Sequence, residues 1–280
     1  MAIQLKEFKG LSIGQSVDMV HRKFQLRRWR QREEIAVQCA GQTARLRVRR
    51  GTTDADVIHQ CFVENQYEIP TFPNVKAYHR EAVQERYSSI VADRRKPLII
   101  DCGANMGASA AWLDLRFPGS AIVAVEPAED NILLLKENCK TRKNIQVVEA
   151  GVGGVDENAF LQDFGGGHWG YQTGKEQTDK PIRIVSLSSL IKANTNDAVI
   201  PFMLKIDVEG AEKELFGPSL ETIAAFPVIV IETHDFYMPG ARTASPFFRF
   251  HADTGRDFLF SHENVFSIDM DALRAPTAGR

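Results

Sequence analysis

The residues best suited to chemistry lie in the stretch Leu98–Leu113, where Asp101, Gly103 and Gly107 follow an apolar run. The run is typical of a buried strand, and the small and apolar residues after Gly107 predict a helix. A strand, a glycine-rich turn and a helix N-terminus together form a corner that binds nucleotides. This stretch therefore predicts a site for a nucleotide-type cofactor.

The spacing within this turn narrows the class of cofactor. Dinucleotide-binding sites favour G-x-G-x-x-G, whereas the turn here has the pattern D-x-G-x-x-x-G. An acid at the strand tip would repel a pyrophosphate, but it suits a cofactor that carries a positive charge and an amino group. S-adenosylmethionine (SAM) has both groups, and we expect it here rather than a nicotinamide dinucleotide.

A second acid, Glu126, follows Gly107 by 19 residues and lies at the end of the next predicted strand. A carboxylate in that position can accept hydrogen bonds from both ribose hydroxyls of a nucleoside. The alternative is that Glu126, beside Pro127, only stabilises the start of the following helix. A glycine turn after one strand and an acid after the next are more specific together than either is alone, and they favour the cofactor role.

The predicted cofactor site combines the polar and small residues at these strand ends. It also includes Glu149, Ala150 and Gly151 at the end of the third predicted strand, where an adenine would lie. Its members are Asp101, Gly103, Ala104, Asn105, Gly107, Ser109, Glu126, Pro127, Glu149, Ala150, Gly151 and Asp207.

Three polar residues, Asp207, Glu209 and His234, also follow predicted strands, and Asp207 is shared with the cofactor site. Open α/β sheets bind their ligands at the carboxyl ends of the strands, and histidine is the commonest general base near neutral pH. We predict catalytic roles for all three residues. The alternative is that the acids only complement a helix N-terminus and that His234 lies on the surface. Lys205 is expected to neutralise a nearby acid.

A glycine-rich segment, residues 165–170, interrupts the pattern of strands and helices and carries His168 and Trp169, with Tyr171 directly after it. Such a loop can close over a substrate, whereas the alternative is a simple linker. We predict that these three residues contact the substrate.

The composition limits the wider class of protein. The chain has 280 residues and a net charge of −2, which fits one large domain with or without an extension and gives no electrostatic argument for a polyanionic partner. Its four cysteines are scattered without a C-x-x-C pair, which argues against a zinc site and a disulfide framework. No apolar run approaches the roughly 20 residues of a membrane span, and the N-terminus lacks the apolar core of a signal peptide. We therefore expect a cytoplasmic protein.

The elements that position these residues alternate between strand and helix from Leu98 onward, which predicts an α/β fold with a parallel sheet covered on both faces. The predicted strands are 98–102, 121–127, 145–153, 202–207 and 228–233, with two more in 257–269, and the predicted helices are 106–117, 128–142, one from near Gly210, and 245–255.

The N-terminal region, residues 1–95, differs from the rest of the chain. Between Arg22 and Arg50 it contains ten Lys or Arg residues and only two acids. The segments 34–40 and 44–50 alternate apolar and polar residues around Gly41, which predicts a β-hairpin. A basic run of this kind either binds nucleic acid or forms the solvated face of the hairpin, and the scarcity of interleaved aromatic residues favours the solvated face.

At this point the motifs resemble a known family. The order IDCGANMG, AVEP, VVEAGVGG, LKIDVEGAE and VIVIETH is similar to that of the FkbM family of SAM-dependent methyltransferases. ANMG and KIDVEGAE are the distinguishing pieces, and the resemblance covers residues 98–234 well, with a lead-in at 46–67.

The resemblance implies a class I methyltransferase (Rossmann-like) fold, with a seven-stranded and mostly parallel sheet whose last strand is antiparallel. It implies a methyltransferase domain at 96–280 after an N-terminal extension at 1–95, and O-methylation of a sugar, glycan or other small metabolite. DNA or RNA is not expected as a partner. A nucleic-acid methyltransferase that uses the basic region, and a non-catalytic interaction protein of the same fold, remain alternatives.

Methyl transfer to a hydroxyl leaves two mechanisms open. In the first, Asp207 or His234 takes the hydroxyl proton as a general base, which typically contributes about 10²–10⁴-fold to the rate. In the second, Asp207 and Glu209 hold a hard cation such as Mg²⁺, which lowers the pKa of the hydroxyl.

Overall fold

Continuous runs of Ile, Val, Leu and Ala form the central strands of the protein. A computed structural model describes residues 3–4, 33–163, 171–174, 181–217, 220–236 and 238–276. In chain order the elements are β1 (Ile3–Gln4), β2 (Glu33–Cys39), β3 (Gln42–Val48), α1 (Asp54–Phe62), α2 (Tyr78–Ala92), β4 (Lys96–Cys102), α3 (Ala108–Arg116), β5 (Ala121–Glu126), α4 (Glu129–Cys139), β6 (Ile145–Glu149), β7 (Gly151–Gly153), β8 (Glu157–Asp163), β9 (Tyr171–Gly174), β10 (Pro181–Ser186), α5 (Leu187–Asn194), β11 (Val199–Ile206), α6 (Glu212–Leu215), α7 (Leu220–Ala224), β12 (Val228–Glu232), α8 (Ser245–Asp253), β13 (Asp257–Ser261), β14 (Asn264–Ile268) and α9 (Met270–Arg274).

The main sheet has seven strands in the order β13–β14–β12–β11–β4–β5–β6. The strands from β12 to β6 pair in parallel, while β14 pairs antiparallel with both of its neighbours. Its central strands are apolar throughout because helices cover both faces of the sheet. This confirms the predicted α/β class, the seven strands and the single antiparallel strand near the end of the chain.

The parallel strands bring their carboxyl ends to one edge of the sheet. Asp101, Glu126 and Glu149 are adjacent at the ends of β4, β5 and β6, since Asp101 is in register with Ala124 and Glu126 with Glu149. Asp207 directly follows β11, and Glu232 ends β12. The acids that the sequence scatters over more than 130 residues therefore converge on one edge.

The predicted strand 145–153 is wrong as a single element. It breaks at Ala150, whose N–H donates to the Glu126 carbonyl at 3.1 Å, and β7 then enters a second sheet of order β7–β10–β8–β9. A Cβ on Gly153 would lie 2.7 Å from the Ile184 side chain on β10, so glycine is required where the two strands pair. The sequence analysis predicted no second sheet.

The hairpin of β2 and β3 confirms the sequence prediction for this region, with its turn at Ala40 and Gly41. The hairpin belongs to the same apolar core as Trp112 of α3. Asn138 on α4 accepts from the Arg47 N–H at 2.7 Å and donates to the Arg47 carbonyl at 3.1 Å, which docks β3 onto this helix. The division of the chain at residue 95 remains a prediction.

The basic residues of the hairpin region form ion pairs within the protein. Arg45 pairs with Glu34 at 3.1 Å, Arg47 with Glu137 at 2.9 Å and Arg49 with Asp54 at 2.7 Å, and Arg50 pairs with Glu33. These arginines therefore have acidic partners within the chain, and the preference for a solvated face over a nucleic-acid surface stays a prediction. The part of the run before residue 33 lies outside the described residues.

All four cysteines are free thiols, as their spacing predicted. In the part of the chain that the structure describes, none of the helices has the length and apolar character needed to cross a membrane.

Candidate active site

The turn after β4 forms one wall of the site, and Gly103 is its tightest point. Gly103 has a φ of +82°, and a Cβ there would lie 1.8 Å from the backbone oxygen of Asp207. The Asp207 N–H also donates to the Cys102 carbonyl at 3.1 Å. Position 103 must therefore be glycine because the ends of β4 and β11 meet here. A glycine also leaves room for a ligand in the cleft.

Gly107 serves the packing of helices. It has a φ of +90° and precedes α3, and a Cβ there would lie 2.8 Å from the Leu135 side chain on α4. Glycine therefore allows α3 to begin directly against α4. This close packing fixes the direction in which the helix N-terminus points.

Glu126 at the end of β5 is held by three N–H donors. Its carboxylate accepts from the Asn105 N–H at 2.9 Å, the Ala128 N–H at 3.0 Å and the Asn131 amide at 3.2 Å. The residue is only 5% exposed. Burial raises the pKa of this carboxyl, and the hydrogen bonds offset only part of that effect. Glu126 thus links the turn after β4 to the end of β5, and it borders a cleft between them.

A cleft of about 570 Å³, a volume that includes open solvent, lies between the turn after β4, the end of β5 and the segment after β11. Its lining residues are Gly103, Asn105, Val125, Glu126, Pro127, Asn131, Ala150, Gly151, Val152, Asp207, Val208, Glu209 and Ala211.

Seven of the twelve predicted cofactor residues line this cleft, namely Gly103, Asn105, Glu126, Pro127, Ala150, Gly151 and Asp207. The other five lie beside it. Ala104 and Gly107 belong to the backbone of the turn, and Asp101 accepts from the Ser109 hydroxyl at 2.6 Å beneath it. Glu149 is exposed and pairs with Lys136 at 2.5 Å.

Lys205 lies beneath the cleft, with a side chain that is 2% exposed. Its ammonium nitrogen is 3.1 Å from Asp101 and 3.2 Å from Asp207. Burial opposes the charged form, but these carboxylates outweigh it and hold the pKa of Lys205 well above its usual value. The expectation that Lys205 neutralises a nearby acid is confirmed, although its single positive charge is shared by two carboxylates.

His234 is buried and surrounded by carboxylates. Its Nδ1 lies 2.6 Å from Glu212, and its Nε2 lies 3.4 Å from Glu232, 3.6 Å from Glu209 and 3.8 Å from Asp207. Burial favours the neutral ring, but the hydrogen bonds to Glu212 and Glu232 and the nearby charges raise the pKa to about 11. The ring is therefore protonated near neutral pH, and it lies inside the protein rather than on the surface.

Glu209 lines the cleft and has an unusual backbone, with a φ of +52°. A side chain in this left-handed region costs roughly 1–2 kcal/mol, and such strain concentrates at functional sites. Burial and the charge of Asp207 raise the pKa of Glu209 to about 8. Burial and Asp207 likewise raise the pKa of Glu232 to about 7.

The donor atoms do not fit the Mg²⁺ site expected from Asp207 and Glu209. Among the described residues, the side chains whose donor atoms lie within 4.8 Å of one another are Asp207, Glu232 and His234. Mg²⁺ favours oxygen ligands in octahedral geometry, whereas this set includes an imidazole nitrogen and does not contain Glu209.

Residues of α1 and of the segment after it approach the same edge of the sheet. The Tyr67 ring lies 5.6 Å from the Lys205 ammonium, and Gln60 donates to the Glu263 carboxylate at 3.2 Å. Two of the three predicted substrate residues, His168 and Trp169, lie outside the described residues, and of Tyr171 only its place in β9 is described.

Sequence reasoning missed Glu212 and Glu232 as partners of His234. Glu232 carried a usable signal, since it ends a strand as Glu126 does. Glu212 accepts from the Gly210 N–H at 2.9 Å beside the start of α6, but its contact with His234 depends on tertiary structure. Asn131 was missed for the same reason.

Comparison with protein families gives one match for the chain. The model of the methyltransferase FkbM domain matches residues 101–264, more than half of the 280 residues. The match begins at Asp101, in β4, and extends into β14. No curated protein matches the chain.

Several solved structures are similar to the chain at low identity. Precorrin-6y C5,15-methyltransferase from Geobacter metallireducens GS-15 is 15% identical, with 72% of this chain and 93% of that chain covered and a TM-score of 0.34. The SAM-bound O-methyltransferase TomG from Streptomyces achromogenes is 12% identical, with coverages of 76% and 87% and a TM-score of 0.39. The methyltransferase PaMTH1 from Podospora anserina, bound to S-adenosylhomocysteine (SAH), is 12% identical, with coverages of 92% and 96% and a TM-score of 0.38. The family assignment rests on the family model alone.

Proposed function

Because the chain belongs to the methyltransferase FkbM domain family, we propose that it transfers a methyl group from SAM to a hydroxyl of a sugar, glycan or other small metabolite. The observation that supports this most strongly is the cleft itself. It joins a glycine turn and the buried carboxylate of Glu126 on one side to two acids, Asp207 and Glu209, on the other. A nucleoside cofactor needs the first pair of features, and a hydroxyl acceptor needs a base.

In the proposed complex, Glu126 accepts hydrogen bonds from the ribose hydroxyls. Its carboxylate is already oriented by three N–H donors, so little ordering remains for the moment of binding. Ala150, Gly151 and Val152 offer an apolar surface for the adenine. The methionine end of SAM then lies toward Gly103 and Asp207.

Methyl transfer is an in-line displacement. The acceptor oxygen forms a bond to the methyl carbon while the carbon–sulfur bond breaks, and the electron pair of that bond goes to sulfur to give SAH. The proton of the acceptor hydroxyl must go to a base. Since the methyl group of a sulfonium is already activated, alignment supplies the largest part of the acceleration, of the order of 7–11 kcal/mol.

We assign the base to Glu209. Its carboxylate lines the cleft, and its pKa of about 8 is close to the value that general-base catalysis favours near neutral pH. His234 is less suitable because its ring is buried and already protonated, with a pKa of about 11. In this proposal the imidazolium of His234 instead balances the negative charge of the acids around it.

Asp207 has two roles in the proposed reaction. Its carboxylate lies between the cofactor turn and Glu209, and its charge raises the pKa of Glu209. It also borders the space where the acceptor hydroxyl must approach the methyl group. Replacement of Asp207 should therefore affect transfer far more than binding of SAM.

Two measurements test this function. The first is calorimetry of purified protein with SAH, which should show binding. The second is a screen of glycans and hydroxylated metabolites with SAM carrying a tritiated methyl group, in which at least one acceptor should gain label. Absence of cofactor binding would contradict the proposal, and label on an amine or on nucleic acid alone would contradict the choice of acceptor.

A further inference from the structure

We propose that Lys205 is a positioning residue, which holds the cofactor turn and Asp207 at a fixed separation across the floor of the cleft. This inference rests on the proposed function, because it concerns the same site. Lys205 itself does not line the cleft, but two residues that it contacts, Gly103 and Asp207, do.

The contacts of Lys205 join three parts of the site. Its ammonium donates to the Gly103 carbonyl at 2.7 Å and lies 3.1 Å from Asp101 and 3.2 Å from Asp207. Gly103 belongs to the turn, Asp101 to the end of β4 and Asp207 to the segment after β11. The Cys102 carbonyl lies 3.5 Å from the same nitrogen, so the ammonium faces two carbonyls and two carboxylates.

The remaining oxygens of the two acids have other surroundings. One oxygen of Asp101 accepts from the Ser109 hydroxyl at 2.6 Å, while the second is the one that faces Lys205. Asp207 turns Oδ2 toward Lys205 and Oδ1 toward His234, at 3.8 Å. By binding Oδ2, Lys205 leaves Oδ1 of Asp207 near His234 and the acidic cluster of Glu209, Glu212 and Glu232 that surrounds it. In the proposed reaction, this oxygen also faces the hydroxyl that accepts the methyl group.

Charge neutralisation alone does not require this arrangement. A buried ion pair can often be replaced by apolar residues of similar volume with little loss of stability. What an apolar residue cannot supply is a donor to the Gly103 carbonyl and a fixed direction for the Asp207 carboxylate. These two contacts are the ones that reach the cleft, so they are where a positioning role differs from a structural one.

The N-terminal region reaches the site through the same lysine. The Tyr67 ring lies 5.6 Å from the Lys205 ammonium, within the range of a cation–π interaction. Tyr67 is buried in the core that includes the hairpin. Lys205 is therefore covered by the segment that precedes the family-matched region, which shields its three contacts from water.

The test separates net charge from positioning by removing one cation and one anion together. The full-length double variant D101N/K205M keeps the net charge of the site unchanged, while Asp207 loses its contact with Lys205. We expect it to fold and to bind SAH at least fivefold more weakly than the wild type by calorimetry. A second double variant, D101N/K205Q, restores an N–H donor toward Gly103 on a side chain one bond shorter than that of lysine, and we expect it to recover part of the affinity.

Arg256 provides a matched control, because it is also a buried cation. Its guanidinium donates to the carbonyls of Phe226 and Pro227 at 2.8 and 2.9 Å, before β12 and away from the carboxyl ends of the strands. R256M should lower the melting temperature and leave SAH affinity unchanged.

The outcomes separate the two claims. If the wild type binds SAH and D101N/K205M loses less than fivefold in affinity, the positioning role is wrong while the proposed function stands. If neither double variant folds, Lys205 serves the fold and the proposal is also wrong. A wild-type protein that gives no heat with SAH contradicts the proposed function itself.

Discussion

Gly103 and Asp207 approach each other so closely that a Cβ on Gly103 would lie 1.8 Å from the Asp207 backbone oxygen. The two residues belong to opposite walls of the cleft, and the Asp207 N–H donates to Cys102 beside Gly103. Backbone contact thus limits how closely the turn after β4 and Asp207 can approach each other, and Lys205 contacts the same two segments.

Gly103→Ala should destabilise the protein and weaken SAH binding together. The left-handed backbone costs a residue with a Cβ roughly 1–2 kcal/mol, and the overlap with Asp207 adds an overpacking cost of roughly 1–3 kcal/mol. Thermal unfolding and calorimetry measure the two effects. Gly119→Ala is the control, since Gly119 has a φ of +85° but open space around it. Equal losses of stability in the two variants would contradict the role of the close contact.

Glu209→Gln should reduce methyl transfer by about 10²–10⁴-fold, the usual contribution of a general base. The pKa of Glu209 is about 8, and the carboxylate form is the active one. For the wild type, kcat/KM should therefore rise with pH and level off above about 8, and Glu209→Gln should lose this dependence. The measurement uses an acceptor found in the tritium screen. Glu214→Gln, an exposed glutamate on α6, is the control. A Glu209→Gln enzyme with the wild-type pH profile would exclude Glu209 as the base.

The acidic cluster should make the folded protein less stable as the pH rises from about 5 to 9. The folded-state pKa values are about 7 for Glu232, about 8 for Glu209 and about 11 for His234, above the ordinary values of 4.5 and 6.5. In this range the folded protein holds protons that the unfolded chain releases, so the free energy of unfolding falls as pH increases.

Glu232→Gln tests this dependence, because it removes one titrating group and one partner of His234. The fall in melting temperature between pH 6 and pH 9 should be smaller in this variant than in the wild type. Glu221→Gln, which changes an exposed side chain on α7, should keep the wild-type slope. A steeper fall in Glu232→Gln would show that the cluster is not the source of the dependence.

The fold was predictable because parallel strands covered on both faces are continuous apolar runs, and the runs before Asp101 and Glu126 carry that pattern. The wall of the cleft formed by Gly103 and Glu126 was predictable for a related reason, since an acid or a glycine directly after such a run lies at the carboxyl edge of the sheet. Residues such as Gly103 and Glu126 therefore needed no knowledge of tertiary contacts.

The second sheet and the surroundings of His234 were not predictable in the same way. Residues 151–153 continue the apolar pattern of β6, and only their pairing with β10 shows that they leave the main sheet. Glu212 and Glu232 are separated from each other by 20 residues, and only the fold brings both to His234. The pKa values that favour Glu209 over His234 as the base depend on that convergence.

The central claim is that SAM binds in the cleft between Glu126 and Asp207, and titration of SAH into three proteins tests it most directly. The wild type should bind, Glu126→Ala should lose at least tenfold in affinity because the ribose acceptor is removed, and Asp207→Asn should bind within threefold of the wild type while methyl transfer is abolished. No binding to the wild type, or equal binding by the wild type and Glu126→Ala, would contradict this account.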